Sequence, residues 1–106
     1  MKHVVEILFF KGCPNVEPTR EVVRAAIEQT CGHNAAEVVE VEVRNDEQAK
    51  ALRFLGSPTV RVDEHDVDAA SGASEAFGLQ CRVYRVGDRL SGTPPIAWIA
   101  AALREG

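Results

Sequence analysis

Three cysteines, Cys13, Cys31 and Cys81, carry most of the chemistry open to this 106-residue chain. Cys13 ends an apolar run, "ILFF" (7–10), that stops at Lys11-Gly12 and delivers a thiol followed at once by proline. A thiol so placed is a small buried residue at a strand end, half of a disulfide, a metal ligand or a nucleophile. Asn15, Glu17 and Pro18 open a helix just downstream. Cys13 therefore precedes a helix N-terminus, whose free N–H groups and positive dipole end favour a thiolate. Lys11 adds positive charge, Gly12 permits close backbone approach, and Pro14 stiffens the loop and removes a donor. These neighbours favour a reactive thiol at Cys13 over an inert cysteine packed like alanine.

The other candidates carry weaker signals. Cys31 falls in the last helical turn beside Gly32, where the negative helix end disfavours a thiolate. It reads as structural. Cys31 and His33 could share a metal, but a tetrahedral site needs three or four ligands and no second pair is spaced to join them. No metal and no cofactor are therefore assigned. His3, His33 and His65 are scattered and expected to face solvent. Asp63, Glu64, Asp66 and Asp68 lack the glycine and terminal glutamate of a calcium loop and read as a solvated run. Cys81 is a possible second thiol. If it opens a fourth strand antiparallel to the third, it lies at the far end of the sheet, roughly 16 Å from Cys13. That is too far for a disulfide unless the 64–80 connection folds back over the first helix, and ordinary core packing is the expectation for it.

The elements that must position these residues follow from hydrophobic pattern. "HVVEILFF" (3–10) is β-branched, aromatic and nearly continuous, as expected of a central strand covered on both faces. Val22, Val23, Ala26, Ile27 and Thr30 form a helical stripe, giving a helix over 16–31 with Asn15 as its cap and Gly32 as its stop. "AEVVEVEV" (36–43) predicts a strand, and 45–56 a helix capped by Asn45 and ended by Gly56. "TVRVD" (59–63) predicts a third strand, and residues 64–80 a long connection, either a flap or loose. "CRVYRV" (81–86) alternates as a fourth strand, with Arg82, Arg85 and Arg89 expected on a solvated strand and turn. Thr93-Pro94-Pro95 starts a last helix with Ile96, Ile99, Ala100 and Leu103 on its buried stripe. The order β-α-β-α-β-β-α predicts one α/β domain over 1–106. Its four-stranded mixed sheet has a parallel first pair, an antiparallel last pair and helices on both faces.

Composition excludes several function classes. The net charge is −4, with no clustered Lys/Arg, so neither nucleic acid nor an anionic membrane surface is an expected partner. "HVVEILFF" has a glutamate at its centre and no cleavage site after it, and no run approaches the roughly 18 apolar residues of a membrane span. A cytoplasmic location is expected, where thiols stay reduced, and an odd number of cysteines leaves at least one free.

The element order, Cys13 in the loop entering the first helix, and "GSPTV" (56–60) together resemble the thioredoxin-like superfamily over essentially the whole chain. That resemblance implies a cis Pro58 before the third strand, set against Cys13, and gives both residues catalytic roles. Only X–Pro bonds adopt cis cheaply, and such a kink exposes the Ser57 backbone for pairing with an extended substrate. Gly12, Pro14 and Ser57 then become substrate-binding positions. The chain departs from the family's C-x-x-C motif, reading Cys13-Pro14-Asn15-Val16. More narrowly, "FFKGCPN", "FLGSPTVRVD" and "GLQCRVYR" resemble small bacterial thioredoxin-like proteins, some labelled as alkylmercury lyase or mercury-resistance related.

Three functions are consistent with these residues. In the first, Cys13 is a monothiol that exchanges with a thiol or disulfide substrate, and an external thiol such as glutathione resolves the mixed disulfide. In the second, Cys13 captures a soft metal ion or organomercurial, with or without Cys81 as a second ligand. In the third, the fold is a non-catalytic module whose cis-proline edge binds a peptide.

Overall fold

A computed structural model describes residues 2–105. Its main sheet has four strands, β1 (His3–Phe9), β2 (Ala36–Glu42), β3 (Thr59–Val62) and β4 (His65–Asp66), in the order β2-β1-β3-β4. β1 runs parallel to β2, from His3 opposite Ala36 to Phe9 opposite Glu42, and antiparallel to β3, with Leu8 opposite Thr59. The strand is central, as its unbroken apolar pattern requires. Val5 and Ile7 are buried on one face and Leu8 on the other. The sheet edge at β2 is largely exposed, and its Val38 and Val39, on opposite faces, are both partly open to solvent.

Helix α1 (Val16–Gln29) and helix α3 (Ile96–Glu105) cover one face. Val23, Ala26 and Ile27 of α1 meet Ile99, Ala100 and Leu103 of α3 over Val5, Ile7, Val60 and Val62. The spacing of Val16, Thr19, Val23, Ala26 and Ile27 is the i, i+3, i+7 stripe of an amphipathic helix. Burial of a large aliphatic side chain in such a layer contributes about 1.5–3 kcal/mol. The helix stops short of residue 31. Thr30 turns its hydroxyl onto the Ala26 carbonyl at 2.8 Å, and the Gly32 N–H reaches back to the Ile27 carbonyl, also at 2.8 Å. Cys31 thus lies in the turn, half-buried against the core.

The opposite face carries helix α2 (Asp46–Ala51), whose Ala49 packs with Leu8, Val43 and Phe54. Asn45 caps it as expected, accepting from the Gln48 N–H at 2.9 Å, while the Gln48 side chain accepts from the Arg44 N–H. It is shorter than the 45–56 expected. Arg53 takes a positive φ, the Phe54 N–H closes onto the Ala49 carbonyl, and Arg61 donates to the carbonyls of Leu52 and Arg53. A guanidinium from the sheet thus satisfies the helix end, which is a tertiary stop and leaves no local mark. No helix among the described residues is long and apolar enough to cross a membrane.

The fourth strand differs from expectation. β3 turns at Asp63-Glu64, both with positive φ as in a tight hairpin, and pairs with β4 instead of with 81–86. Among the described residues strand β5 (Tyr84–Val86) then pairs only with β6 (Arg89–Ser91), a separate hairpin through Gly87. The sheet is four-stranded and mixed, but its edge is built from two residues of the segment read as a loop.

Candidate thiol site

Cys13 occupies the turn between β1 and α1. Its N–H donates to the Phe10 carbonyl at 3.3 Å, and its own carbonyl accepts from Val16 N–H at 3.4 Å. Gly12 has φ +91° with open space where a Cβ would stand. Glycine is needed there for the left-handed turn, and the close backbone approach expected of it is absent. Lys11 and Pro14 are exposed, whereas Cys13 is only 8% exposed. Asn15 precedes the helix but makes no side-chain cap. Its amide lies against Gly92 so closely that a Cβ on Gly92 would overlap it, which ties the Cys13 loop to the turn before α3.

The loop is linked to Ser57 through Phe10, whose N–H donates to the Ser57 hydroxyl at 3.3 Å. The Ser57–Pro58 bond is cis, the geometry the resemblance implies, and both residues are buried. The Ser57 backbone is not free for an extended substrate, however. Its N–H donates to the Gln80 carbonyl at 2.8 Å and its carbonyl accepts from Arg82 N–H at 2.9 Å. A peptide added at this edge would find the Ser57 N–H taken and its carbonyl already bonded.

Those two bonds make an isolated parallel bridge between Ser57 and Cys81. Cys81 is therefore at the same end of the sheet as Cys13, not at the far end, and it is exposed, not packed in the core. The cause is the return path of residues 64–80. A short 3-10 turn at Ala69–Ala73 follows β4. Gly78 N–H then bonds the Phe54 carbonyl, and the Gln80 side chain donates to Leu55 and Ala76 carbonyls. Arg53 sits over the Phe77 ring at 5.0 Å. The segment is docked along residues 53–57, which carries the chain back to the start of β3 and makes the pairing parallel.

The alternation in 81–86 is present with its phase reversed. Arg82 and Tyr84 point inward, while Cys81, Val83 and Arg85 are exposed. Arg82, only 6% exposed, makes a forked ion pair with Asp66 at 2.7 and 3.0 Å and donates to Thr59 Oγ1 at 3.1 Å. Asp68 lies 3.8 Å away, and the guanidinium stacks over the Tyr84 ring at 4.5 Å. Burial alone would lower the Arg82 pKa, but the Asp66 hydrogen bonds and the surrounding negative charge outweigh it and raise it. The guanidinium stays charged. Burial raises the Tyr84 phenol well above its ordinary value, and its hydroxyl donates to the Pro58 carbonyl at 2.6 Å. Gly56 admits this arrangement, since a Cβ there would stand 3.0 Å from Arg82 Cβ and the Gln80 carbonyl.

Asp66 and Asp68 are thus counter-ions and not a solvated run. His3 is likewise turned onto Asp63 at 2.6 Å, which with the Val4 N–H holds the Asp63 carboxyl below its usual range. His33 remains on the surface beside Glu28. Among the described residues no three His, Cys, Asp or Glu side chains converge to hold a metal. The clamp residues Arg82, Asp66, Thr59 and Tyr84 are not marked as a site by the sequence. The one signal it offers is the matched spacing of Asp66/Asp68 with Arg82/Tyr84, each pair two residues apart and so on one face of an extended chain. No family model, curated protein or solved structure matches the chain.

Proposed function

We propose that this chain is a thioredoxin-like thiol protein in which Cys13 exchanges with disulfides as the attacking thiol. The observation that carries the reading is the placement of Cys13. It stands in the turn between the central strand and α1, three residues before the helix starts, and that turn is held through Phe10 to Ser57 beside the cis Pro58. The parallel β1-α1-β2 unit, the antiparallel return of β3 and β4, and helices on both faces support a thioredoxin-like architecture. Val16 is buried and offers no sulfur at the position of a C-x-x-C partner, so the exchange proposed is that of a single thiol and not of a dithiol at this motif. A soft-metal reading draws on the same thiol, and no third ligand joins it among the described residues.

The test uses single-cysteine variants with oxidised glutathione as probe. The variant retaining Cys13 (Cys31→Ser, Cys81→Ser) takes up one glutathione faster than the variant retaining Cys31. Cys13→Ser in the same background takes up none. A Cys13 variant that stays unmodified while the folded Cys81 variant reacts would place the chemistry on the wrong residue.

A further inference from the structure

We propose that Cys81 is the resolving thiol of this site, so that the mixed disulfide on Cys13 is released within the chain and needs no second external thiol. The inference rests on the reading of Cys13 as the attacking thiol and adds a second step after the attack. Residues 80–82 occupy both backbone groups of Ser57, which an extended substrate beside Pro58 would use. Cys81 therefore stands at the edge where such a substrate would lie. The chain supplies its own partner at that edge.

Directly paired residues on adjacent strands project their side chains to the same side of the ladder. The Ser57 hydroxyl, paired across from Cys81, is the group that meets Phe10 N–H, and Phe10 in turn holds Cys13. Phe10 and Cys81 thus flank Ser57, with α-carbons about 10 Å apart at two strand spacings. The Phe10–Cys13 turn spans less than about 7 Å, and a disulfide requires α-carbons within about 7 Å. The cross-link therefore requires the turn through Lys11-Gly12, both exposed, to move Cys13 toward Cys81. Cys81 is fixed on both sides, by Gln80 to Leu55 and Ser57 and by Arg82 to Ser57, Thr59 and Asp66. An exposed thiol held so firmly opposite Ser57 is positioned for reaction, whereas a cysteine serving only as filler would be buried.

The chemistry balances with a low-molecular-weight disulfide as oxidant. The Cys13 thiolate attacks one sulfur of RSSR, the RS–SR bond breaks, Cys13–SR forms, and the departing thiolate takes a proton. Cys81, deprotonated by solvent, then attacks Cys13 Sγ. The Cys13–SR bond breaks, Cys13–Cys81 forms and a second RSH leaves. Two electrons pass from the two protein thiols to RSSR. The reverse reaction takes a dithiol as reductant.

The test incubates the intact chain at low micromolar concentration with oxidised glutathione, then acid-quenches, alkylates and digests it with trypsin. Cys13 falls in the peptide 12–20 and Cys81 in 62–82. The wild type is expected to accumulate the 12–20/62–82 cross-link within a monomer. Cys81→Ser and Cys81→Ala, both at an exposed position, are expected to stop with glutathione on Cys13, with circular dichroism unchanged. If the wild type instead retains glutathione on Cys13 and leaves Cys81 free to alkylate, or cross-links only between chains, the resolving role is wrong and the monothiol reading stands. If Cys13 takes up no glutathione even in the Cys81 variants, the attacking role of Cys13 falls, and this inference falls with it.

Discussion

The Cys13 loop and the Cys81 segment meet at Ser57, but different physics brings them there. Cys13 is placed by apolar burial: β1 and α1, on either side of it, contribute Val5, Ile7, Val23, Ala26 and Ile27 to one core layer. Cys81 is placed by a polar clamp, in which the buried Arg82 binds Asp66 and Thr59 and the Tyr84 hydroxyl binds the Pro58 carbonyl. The first device tolerates small shifts, because apolar contact has no preferred direction. The second fixes direction, since each hydrogen bond has a required angle and a buried charge without its partner is costly. The core thus provides stability, and the clamp decides which residues stand opposite Ser57.

The sharpest way to break this comparison is to cut each device once. Ile7→Ala removes a fully buried side chain beneath α1 and is expected to cost about 2–5 kcal/mol. Asp66→Ala leaves Arg82 buried with only the more distant Asp68 as counter-ion and is expected to cost about 3 kcal/mol. The two losses are similar in size but should differ in kind. Hydrogen exchange should show Asp66→Ala releasing the Ser57 and Arg82 N–H groups well before the β1–β3 ladder. Ile7→Ala should loosen that ladder and leave the order of exchange unchanged. Equal patterns in the two variants would mean that the clamp is only part of the core.

Legibility in the sequence divides along the same line. The elements of the apolar layers are legible: the doubly covered strand at 3–10, the α1 stripe, Val60 and Val62 on one side of β3, and the Ile99/Leu103 face of α3. Each follows from a periodicity that requires only one partner surface. The polar clamp is not legible, because burying Arg82 depends on Asp66 sixteen residues away, and a charge read alone belongs on the surface. The same gap misplaces Cys81. Taking Arg82 as outward puts Cys81 inward, and assuming a sheet partner for 81–86 puts it at the far end. The early stop of α2 is hidden for a related reason, since Arg61 supplies it from across the fold. The cis bond at Pro58 is expected from resemblance, and nothing in local pattern alone distinguishes it from a trans proline.

A smaller cut tests the clamp without removing a charge. Tyr84→Phe keeps the ring under Arg82 and its edge contact with Trp98, 6.1 Å between centroids, but deletes the bond to the Pro58 carbonyl. Leaving that buried acceptor unpaired is expected to cost about 1–2 kcal/mol. The effect should appear as a lower urea midpoint with an unchanged slope. An unchanged midpoint would mean that ring stacking alone holds the segment against Pro58.

The smallest effect belongs to the surface charges that brace the apolar side, and pH separates them from the clamp. The Arg20 guanidinium of α1 donates to both Glu40 oxygens of β2 at 2.8 and 2.7 Å and holds that carboxyl below its ordinary value of 4.5. Asp63, bonded by His3 and the Val4 N–H, is lowered from 3.8. A carboxyl depressed in the folded state binds its proton more readily when unfolded. Its contribution is therefore complete above the unfolded value and is lost as pH falls through the lower folded one. Thermal stability should accordingly be flat in these two groups from neutral pH to about 5 and decline below about pH 4. Glu40→Gln should lower stability by no more than about 1 kcal/mol at neutral pH, because the pair is partly solvent-screened. That difference from wild type should shrink in acid and in high salt. Asp66→Ala should keep its deficit across the same neutral range and resist salt, since its partner is buried. If added salt erased the Asp66→Ala deficit as fully as that of Glu40→Gln, Arg82 and Asp66 would be behaving as a surface pair, and the distinction between the two regions would fail.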